Sequence, residues 1–409
     1  MIRSVSAKYA MRSLLSHPMR SILSMTGIGV GCAMALFATS YVGGEAEWQI
    51  RAVSESGAGH ISIVPNGWIE KRENSVRLAD WEHALEAAQS LPGVKAITFR
   101  ARANGLLAFG NRTAGVEVTG VDPERESRSN RIVYKAKLEG RYLRPDDSGV
   151  VVIGRTLAGR LDVGLDDDLY VTMAGRDEIQ SAMLRIVGIL ETGSRDIDAA
   201  ICHVTLPDIE RMTGYTGPGE ISILLTDYRL IETDRKDLAA RLSGSNTVIT
   251  WEDSNPGLAA NVKGDTVFMN ALAGIIVIVV ALGIASAQLT TVLERRHEFA
   301  ILSALGMRGG QVVGLVALEA LAVGVAGALV ALVLGGPLTY YLSTHGINFA
   351  SLIGEGFGNV LLDPRMYCVF GPWLIWYALA ISVTATALVS VYPAWLATRV
   401  DPAEAMRKV

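Results

Sequence analysis

The side chains with the chemistry for catalysis or metal binding are few in this chain, and they lie far apart. Cys32, Cys202 and Cys368 have no paired spacing, so we expect neither a disulfide framework nor a cysteine-ligated metal site. The six histidines form no His-Glu-x-x-His motif, and no Gly-x-Ser-x-Gly sequence marks a nucleophile. The sequence therefore argues against an enzyme, whether soluble or membrane-bound.

Phosphate-binding motifs are missing as well. The chain contains no Gly-Lys dipeptide, and therefore no Gly-x-x-x-x-Gly-Lys-Ser/Thr loop for the phosphates of ATP. The acidic run 166–168 is expected to be a solvated turn. No cofactor is expected in this chain, and if ATP drives the protein, a separate subunit must bind the ATP and its magnesium.

The elements that would position any site are mostly apolar. Of the 409 residues 50% are hydrophobic and only 19% are charged, against about a quarter charged in soluble domains. Four windows, at 21–44, 266–293, 309–354 and 366–398, contain one charged residue between them, Glu319. Crossing a bilayer takes about 20 apolar residues in a helix. We predict an α-helical membrane protein with four transmembrane helices, at 21–44, 266–292, 311–341 and 373–396.

The basic residues indicate an orientation. Outside the region 45–264 they lie mostly in three places, which are residues 1–20, the link 293–310 and the tail after 398. Because cytoplasmic loops are enriched in Lys and Arg, both termini and this link should be cytoplasmic and 45–264 should lie outside. Residues 1–20 suggest an amphipathic helix at the inner interface, with a flexible basic tail as the alternative.

The external region 45–264 has soluble composition and should form an α+β domain of one or two lobes. Alternating apolar residues predict strands at Val94–Arg100, Val116–Val121, Val150–Ile153, Leu169–Met173, Leu184–Leu190 and Ile221–Leu225. Helices are predicted at Asp80–Leu91, capped by Asp80, and at Leu206–Thr213.

The link 293–307 has the pattern of a short amphipathic helix. Charges lie at its start, apolar residues recur from Phe299 to Leu305, and Gly306 should end it. Such a helix could dock in a partner's groove or could be a plain connector, and physical reasoning favours neither.

The same link carries a family resemblance. The run Glu294–Met307 reads Glu-Arg-Arg-x-Glu-x-Ala-Ile-Leu-x-Ala-Leu-Gly-Met and resembles the coupling segment of FtsX-like ABC permeases, the type VII group that includes MacB, LolC and LolE. The start of the chain (12–31) and its tail (392–407) are similar to the same family. In the external region, Gly59–Ile63 and Gly120–Glu126 resemble the lipoprotein-releasing LolC/LolE branch.

The resemblance implies one span, a large MacB-like external domain, and an FtsX-like domain (265–409) with three further spans. It also implies a LolD-like ATPase subunit and a second permease copy or paralogue. The implied ATPase-coupling residues are Glu294, Arg295, Arg296, Glu298, Phe299, Ile301, Leu302, Gly306 and Met307. The implied C-terminal motif consists of Tyr392, Pro393, Arg399, Asp401 and Pro402. In this interpretation Arg295 and Glu298 contact the ATPase, while Phe299 and Leu302 fill its groove.

The first span carries small residues at every fourth position, Gly27, Gly31 and Ala35. This pattern allows close approach either to a second copy or to another helix of the same chain. As candidates for lining a cavity for acylated cargo we take Leu36, Phe37, Tyr41 and Trp48. Glu319 should face protein or water and pair with a cytoplasmic-side arginine. We expect a structural role for it, with direct involvement in transport as the alternative.

The function implied by the resemblance is extraction of lipoproteins or lipids from the outer leaflet of the bacterial inner membrane by mechanotransmission. A periplasmic carrier could receive the cargo, and no nucleic acid is involved. Two alternatives stay open: a MacB-like efflux permease for drugs or peptides, and an FtsX-like scaffold that controls a cell-wall hydrolase.

Overall fold

The computed structural model describes residues 18–71, 73–242, 244–304, 306–349 and 363–397. Most of the expected interfacial helix 1–20 lies outside these residues. So do Arg399, Asp401 and Pro402 of the C-terminal motif.

Four helices in the described chain are long and apolar enough to cross a membrane. They are α1 (Pro18–Val53), α11 (Pro256–Glu294), α13 (Gly309–His345) and α14 (Trp373–Ala397). Each contains one of the predicted spans. The helices extend beyond those spans because a charge-free window marks only the part that suits lipid. For example, α1 continues through Glu45 and Glu47.

The chain divides into two compact units. The first contains the chain up to Glu45, Gly264–Ile347 and the chain from Tyr367 onward. The second contains Ala46–Lys263 and Asn348–Met366. The external region was predicted at 45–264, and the chain passes between the units inside α1 and inside α11.

The second unit is rich in sheet. Its strands are β1 (Ile61–Pro65), β2 (Val94–Phe109), β3 (Arg112–Val121), β4 (Lys137–Gly140), β5 (Val150–Gly154), β6 (Asp168–Ala174), β7 (Ile179–Glu191), β8 (Cys202–Thr205), β9 (Glu220–Leu225) and β10 (Asn246–Thr250). Its helices are α2 (Trp68–Lys71), α3 (Trp81–Gln89), α4 (Pro123–Ser129), α5 (Arg131–Lys135), α6 (Arg155–Leu161), α7 (Arg195–Ala200), α8 (Leu206–Thr213), α9 (Ile231–Arg241) and α10 (Trp251–Ser254). The chain also contains a short helix, α12 (Arg296–Ala304), and two short paired strands, β11 (Ile347–Asn348) and β12 (Arg365–Met366).

The strands of the second unit form an open sheet and a closed ring that share β2. The open part has the order β10-β1-β9-β2. Beyond Arg100, β2 pairs with β3, and the hydrogen-bonded pairs continue through β8, β5, β7 and β6 back to β2. The first half of β2 therefore belongs to the sheet and the second half to the ring, so the two expected lobes share one continuous strand.

Each part has its own core. The ring is filled by apolar side chains such as Leu107, Ile153 and Leu184, and α6 and α8 add Leu157 and Ile209. The core of the open sheet lies between its strands and the helices α3 and α9. Burying one such aliphatic side chain stabilises the fold by about 1.5–3 kcal/mol.

The two predicted helices of this unit occur at or near their expected bounds. α8 begins and ends as predicted, because Thr205 caps its start and Gly214, with φ +71°, ends it. The prediction for Asp80 was wrong. It precedes α3, but its backbone is left-handed (φ 49°) and its side chain makes no capping hydrogen bond.

In the first unit, glycines bring α1 and α13 into close contact. A Cβ atom added at Gly327 would lie 2.5 Å from Cγ2 of Ile28, and one at Gly29 would overlap Val330. A Cβ at Gly335 would lie 3.2 Å from Cα of Ala33. These contacts let dispersion forces hold the helices together where apolar burial gives no advantage over lipid.

The predicted small-residue stripe is divided by this packing. Gly31 and Ala35 are buried within the chain, as the internal-packing alternative requires. Gly27 is exposed, with nothing within 4 Å of an added Cβ. Gly29, outside the predicted stripe, makes the closest approach.

We expect Gly29→Leu to destabilise the folded chain by about 1–3 kcal/mol, because its side chain would wedge α1 away from α13. Gly27→Leu, two residues earlier on the same helix, should change stability by less than about 0.5 kcal/mol. Thermal unfolding of both variants in detergent tests this difference. Equal destabilisation by the two variants would contradict the described helix contact.

Candidate coupling site

The link between the second and third long helices, residues 294–307, breaks the helical path, and we call it the elbow. α11 ends at Glu294, Arg295 interrupts the helix, and α12 follows from Arg296 to Ala304. Gly306 has φ +92°, and the Met307 amide donates to the Leu302 carbonyl at 3.0 Å. This is the hydrogen bond of a glycine-terminated helix end, as predicted for Gly306.

One face of the elbow is buried in the first unit. Phe299 is 1% exposed and packs in a cluster with Val292. Residues of α13 and Ala394 of α14 complete the cluster, and Leu302 and Met307 cover its edge. The apolar side of α12 is therefore covered by other residues of the same chain.

Arg295 connects the elbow to α13 through a buried ion pair. Its Nη1 lies 3.0 and 2.7 Å from the two carboxylate oxygens of Glu319. Its Nε donates to Glu298 at 2.9 Å, and its guanidinium lies 5.4 Å from the ring centroid of Phe299. Arg295 is 7% exposed. The predicted pairing of Glu319 with an arginine is therefore present, and the partner is Arg295 of the link.

The opposite face of the elbow is exposed. It presents His297, Glu298 and Ile301, and Ile301 is 41% exposed. Glu294 and Gly306 are exposed at its two ends. This face mixes charge with one large aliphatic side chain.

Three of the coupling residues do not lie where the predicted contact needs them, and one of them is Arg295, whose side chain is buried in the ion pair with Glu319. Phe299 is enclosed by its own chain, and Leu302 is partly covered by the same cluster, so neither is free to fill a groove in another subunit. Sequence periodicity identified the apolar face but not what covers it. The side chain of Arg296 lies outside the described residues.

The C-terminal motif is described only in its first part. Tyr392 is 60% exposed and its ring lies 6.3 Å from that of Trp395. Pro393 is buried inside α14. The neighbouring Ala394 packs against the elbow cluster. Sequence reasoning did not predict that contact, although the shared family motifs of elbow and tail were a signal for it.

The cavity candidates have different environments. Leu36 is fully buried against Leu374 and Ala378, so the described chain leaves no surface of it open to cargo. Phe37 and Tyr41 are half-buried, with ring centroids 6.0 Å apart.

Trp48, in the second unit, is occupied by packing. Its Nε1 donates to the Asp363 carbonyl at 2.8 Å, and its ring lies 6.2 Å from that of Phe349. Among the residues that the structure describes, no group of His, Cys, Asp or Glu could hold a metal ion.

Two family models match most of the chain. The MacB-like periplasmic core domain matches residues 21–241, and the FtsX-like permease C-terminal domain matches residues 270–402. The first of these matches covers more than half of the chain. The chain belongs to the FtsX-like permeases that carry a MacB-like periplasmic core. This FtsX-like permease contains the whole elbow within its C-terminal match.

Two kinds of relative match the permease over nearly its full length. It is 25% identical over 400 residues to the lipoprotein-releasing system transmembrane protein LolC of Xylella fastidiosa, covering 95% of this chain and 93% of that protein. It is 24% identical to the macrolide export ATP-binding/permease protein MacB 2 of Aeromonas hydrophila, covering 98% of this chain but 60% of the relative.

Among solved structures, the permease is similar to the periplasmic region of MacB from Actinobacillus actinomycetemcomitans. The identity is 14% and the TM-score 0.36, over 50% of this chain and 94% of that one.

Proposed function

We propose that this chain is the permease subunit of an ABC transporter that releases lipoproteins, or lipids, from the outer leaflet of the bacterial inner membrane. The observation that carries the proposal is the match to LolC across 93% of that protein's length. A separate LolD-like ATPase would supply the energy, since the sequence contains no P-loop. A second permease copy or paralogue would complete the membrane part.

The elbow would be the contact with the ATPase. We assign this role to its exposed face, with Glu298 and Ile301 as the central residues, in place of Phe299 and Leu302. The buried pair of Arg295 and Glu319 would pass movement of the elbow to α13. Both termini and the elbow would then be cytoplasmic, and the second unit periplasmic, as the distribution of Lys and Arg favours.

In this proposal the cargo is pushed out rather than carried across the bilayer, and its acyl chains must stay out of water for energetic reasons. Exposing an acyl chain to water costs about 0.8 kcal/mol per CH₂. A lipid anchor with several chains would cost tens of kcal/mol, so the chains must remain sheltered while the protein part is pushed out. The half-buried Phe37 and Tyr41 are the remaining candidates of the first span for that shelter.

Release from proteoliposomes tests the proposal. The permease, co-purified with its ATPase, is reconstituted beside a triacylated lipoprotein, and we expect ATP-dependent appearance of that lipoprotein in the soluble fraction. Ile301→Asp should reduce both ATPase binding and release about tenfold, the effect of losing about 1.4 kcal/mol of binding free energy. Ile69→Asp is the matched control, because Ile69 is 42% exposed in the second unit.

ATP hydrolysis by the wild-type complex without any released lipoprotein would overturn the proposed cargo. The second candidate is export of macrolides or similar small molecules, favoured by the MacB relative that matches 98% of this chain. In that case the same vesicles should show ATP-dependent macrolide transport.

A further inference from the structure

The sheet of the second unit branches at Arg100, and this branch point is built from buried charge. Arg100 pairs with Glu220 of β9 and with Val121 of β3, so it lies where β2 leaves the open sheet and enters the ring. Arg100 is 5% exposed and Glu126, in α4, is 1% exposed. Charges this deeply buried need close partners.

The partners of Arg100 form a two-pronged hydrogen-bond arrangement. Its Nη2 lies 2.7 Å from Oε1 of Glu126, and its Nε lies 3.2 Å from Oε2. Asn130 donates to the same carboxylate at 2.6 Å. Burial alone would raise the pKa of Glu126, but Arg100 and Asn130 outweigh it and hold that pKa below its usual value.

The third nitrogen of Arg100 reaches the end of the first long helix. α1 is followed directly by a π-helical turn, Ser54–Ala58, and Arg100 Nη1 donates to the Gly57 carbonyl in that turn. Ser222 of β9 donates to the same carbonyl at 3.4 Å. Gly57 has φ +105°, and a Cβ there would lie 2.8 Å from Arg100 Nη2. Only glycine fits this position.

A second attachment lies two residues earlier. Glu55 accepts from Lys95 Nζ at 2.8 Å and pairs with Arg131 Nη1 at 3.5 Å. Lys95 belongs to β2 and Arg131 to α5. We call the six residues Glu55, Gly57, Lys95, Arg100, Glu126 and Arg131 the α1 joint.

The contacts of the α1 joint fix the orientation of the chain more than they add to its stability. A buried ion pair is often no more stabilising than apolar residues of the same volume, because both charges lose their water. The planar guanidinium, however, fixes direction, since both of its edges are engaged at once. The turn after α1 is thereby held in one position on the branch point of the sheet.

We infer that the α1 joint positions the end of α1 so that a movement of this helix is passed to the open sheet and to the ring together. The inference rests on the proposed function, in which movement of the spans drives release. It assigns a positioning role to Arg100, the residue that contacts the turn, β9, β3 and α4 at the same time.

Arg100→Lys tests the joint in the full permease–ATPase complex. Lysine keeps the charge but cannot engage Glu126 and Gly57 together, so ATP hydrolysis should continue while lipoprotein released per ATP falls about tenfold, a common size for coupling between sites. Arg102→Lys is the matched control, because Arg102 lies two residues further along β2 and pairs instead with Glu117 and Glu220, each at 3.1 Å. Its release per ATP should be unchanged.

A second readout needs no cargo. Hydrogen exchange of β2 and β9 in the wild-type complex should change when ATP is added, and this response should be lost in Arg100→Lys and kept in Arg102→Lys. If the wild-type complex shows the response but releases no lipoprotein, the proposed function fails and the joint stands. If Arg100→Lys keeps both the response and wild-type release, or if the wild-type complex shows no response, the joint inference is overturned.

Folding of each variant is checked by thermal unfolding. Should Arg100→Lys fail to fold, Lys95→Gln takes its place, because the Lys95 side chain is 53% exposed. It should reduce release per ATP about threefold without changing stability, since it removes one exposed ion pair. Unchanged release per ATP in a folded Lys95→Gln complex would then count against the joint.

Discussion

Arg295→Met is expected to destabilise the permease by about 3–5 kcal/mol, because it removes the arginine from a buried ion pair and leaves the Glu319 carboxylate uncompensated by it. The two side chains are 8% and 11% exposed, and their closest nitrogen–oxygen distance is 2.7 Å. A carboxylate on an apolar helix is costly unless it is paired. Thermal or denaturant unfolding in detergent measures the loss.

A double variant separates the pair from its surroundings. Arg295→Met combined with Glu319→Leu removes both charges, so stability should return to within about 1 kcal/mol of the wild type, as apolar replacements of buried pairs commonly do. The matched control is Glu298→Gln. Its carboxylate also binds Arg295, at 2.9 Å, but is 46% exposed, so its loss should cost less than about 1 kcal/mol.

If Glu298→Gln costs as much as Arg295→Met, the buried pair is not what holds the elbow to α13. If the double variant is stable and yet releases no lipoprotein, the pair serves coupling and not stability. Stability and release therefore report on different roles of the same two side chains.

Acid is expected to destabilise the permease well before its carboxylates titrate, because two histidines are buried in neutral form. Burial lowers the pKa of His60 from its usual 6.5 to about 4, against the opposing charge of Glu55. Burial likewise lowers the pKa of His203 to about 4, against the opposing charge of Glu126. In the unfolded chain both would bind protons near pH 6.5.

The direction in which stability changes with pH follows from how many protons each state binds. Between pH 6.5 and pH 4 the unfolded chain binds more protons than the folded chain, so stability rises with pH in this window and is lost as the pH falls through it. Each histidine should cost about 2 kcal/mol on going from pH 7 to pH 5. Unfolding measured at both values gives the difference directly.

Asparagine variants test whether these two histidines cause the pH dependence of stability. His60 Nδ1 accepts from the Leu225 amide at 3.0 Å, and His203 Nδ1 lies 3.0 Å from the Tyr142 hydroxyl, positions that an asparagine oxygen can imitate. The variant with both His60→Asn and His203→Asn should lose most of the pH dependence, whereas His83→Asn, at an exposed site, should not. An unaltered pH dependence in the double variant would falsify the assignment and point to carboxylates.

The sequence indicates the elements better than their partners. α8 was predictable to the residue because Thr205, Pro207 and Gly214 punctuate it. β2 was predicted only to Arg100, because the inward positions that follow are Ala101 and Ala103, which give a weak apolar alternation. These small residues are nevertheless buried, at 0% and 2% exposure.

The same limit applies to the candidate site. Periodicity placed Phe299 on the apolar face of the elbow, but the residues that cover it, such as Leu315 and Ala394, come from helices distant in the sequence. The positions of the charged residues gave more information about contacts than the apolar pattern did. A single acid in an apolar helix needs a partner, and the arginines of the elbow were the nearest candidates. The ion pair was therefore predictable in kind, but not to the individual arginine.

The shared strand β2 has a consequence for how this domain can be rebuilt. The chain enters the ring after Arg100 and returns to the open sheet at Glu220, and these two residues are direct neighbours across β2 and β9. The ring is thus a module inserted between adjacent points of a smaller sheet, an arrangement that favours exchange of the whole insert. A ring taken from a homologue could be grafted at these two residues without altering the register of β1, β9 and β10. Glu126, however, lies within the insert and neutralises Arg100 outside it. Any transplanted module must therefore supply its own acid to the strand that receives it.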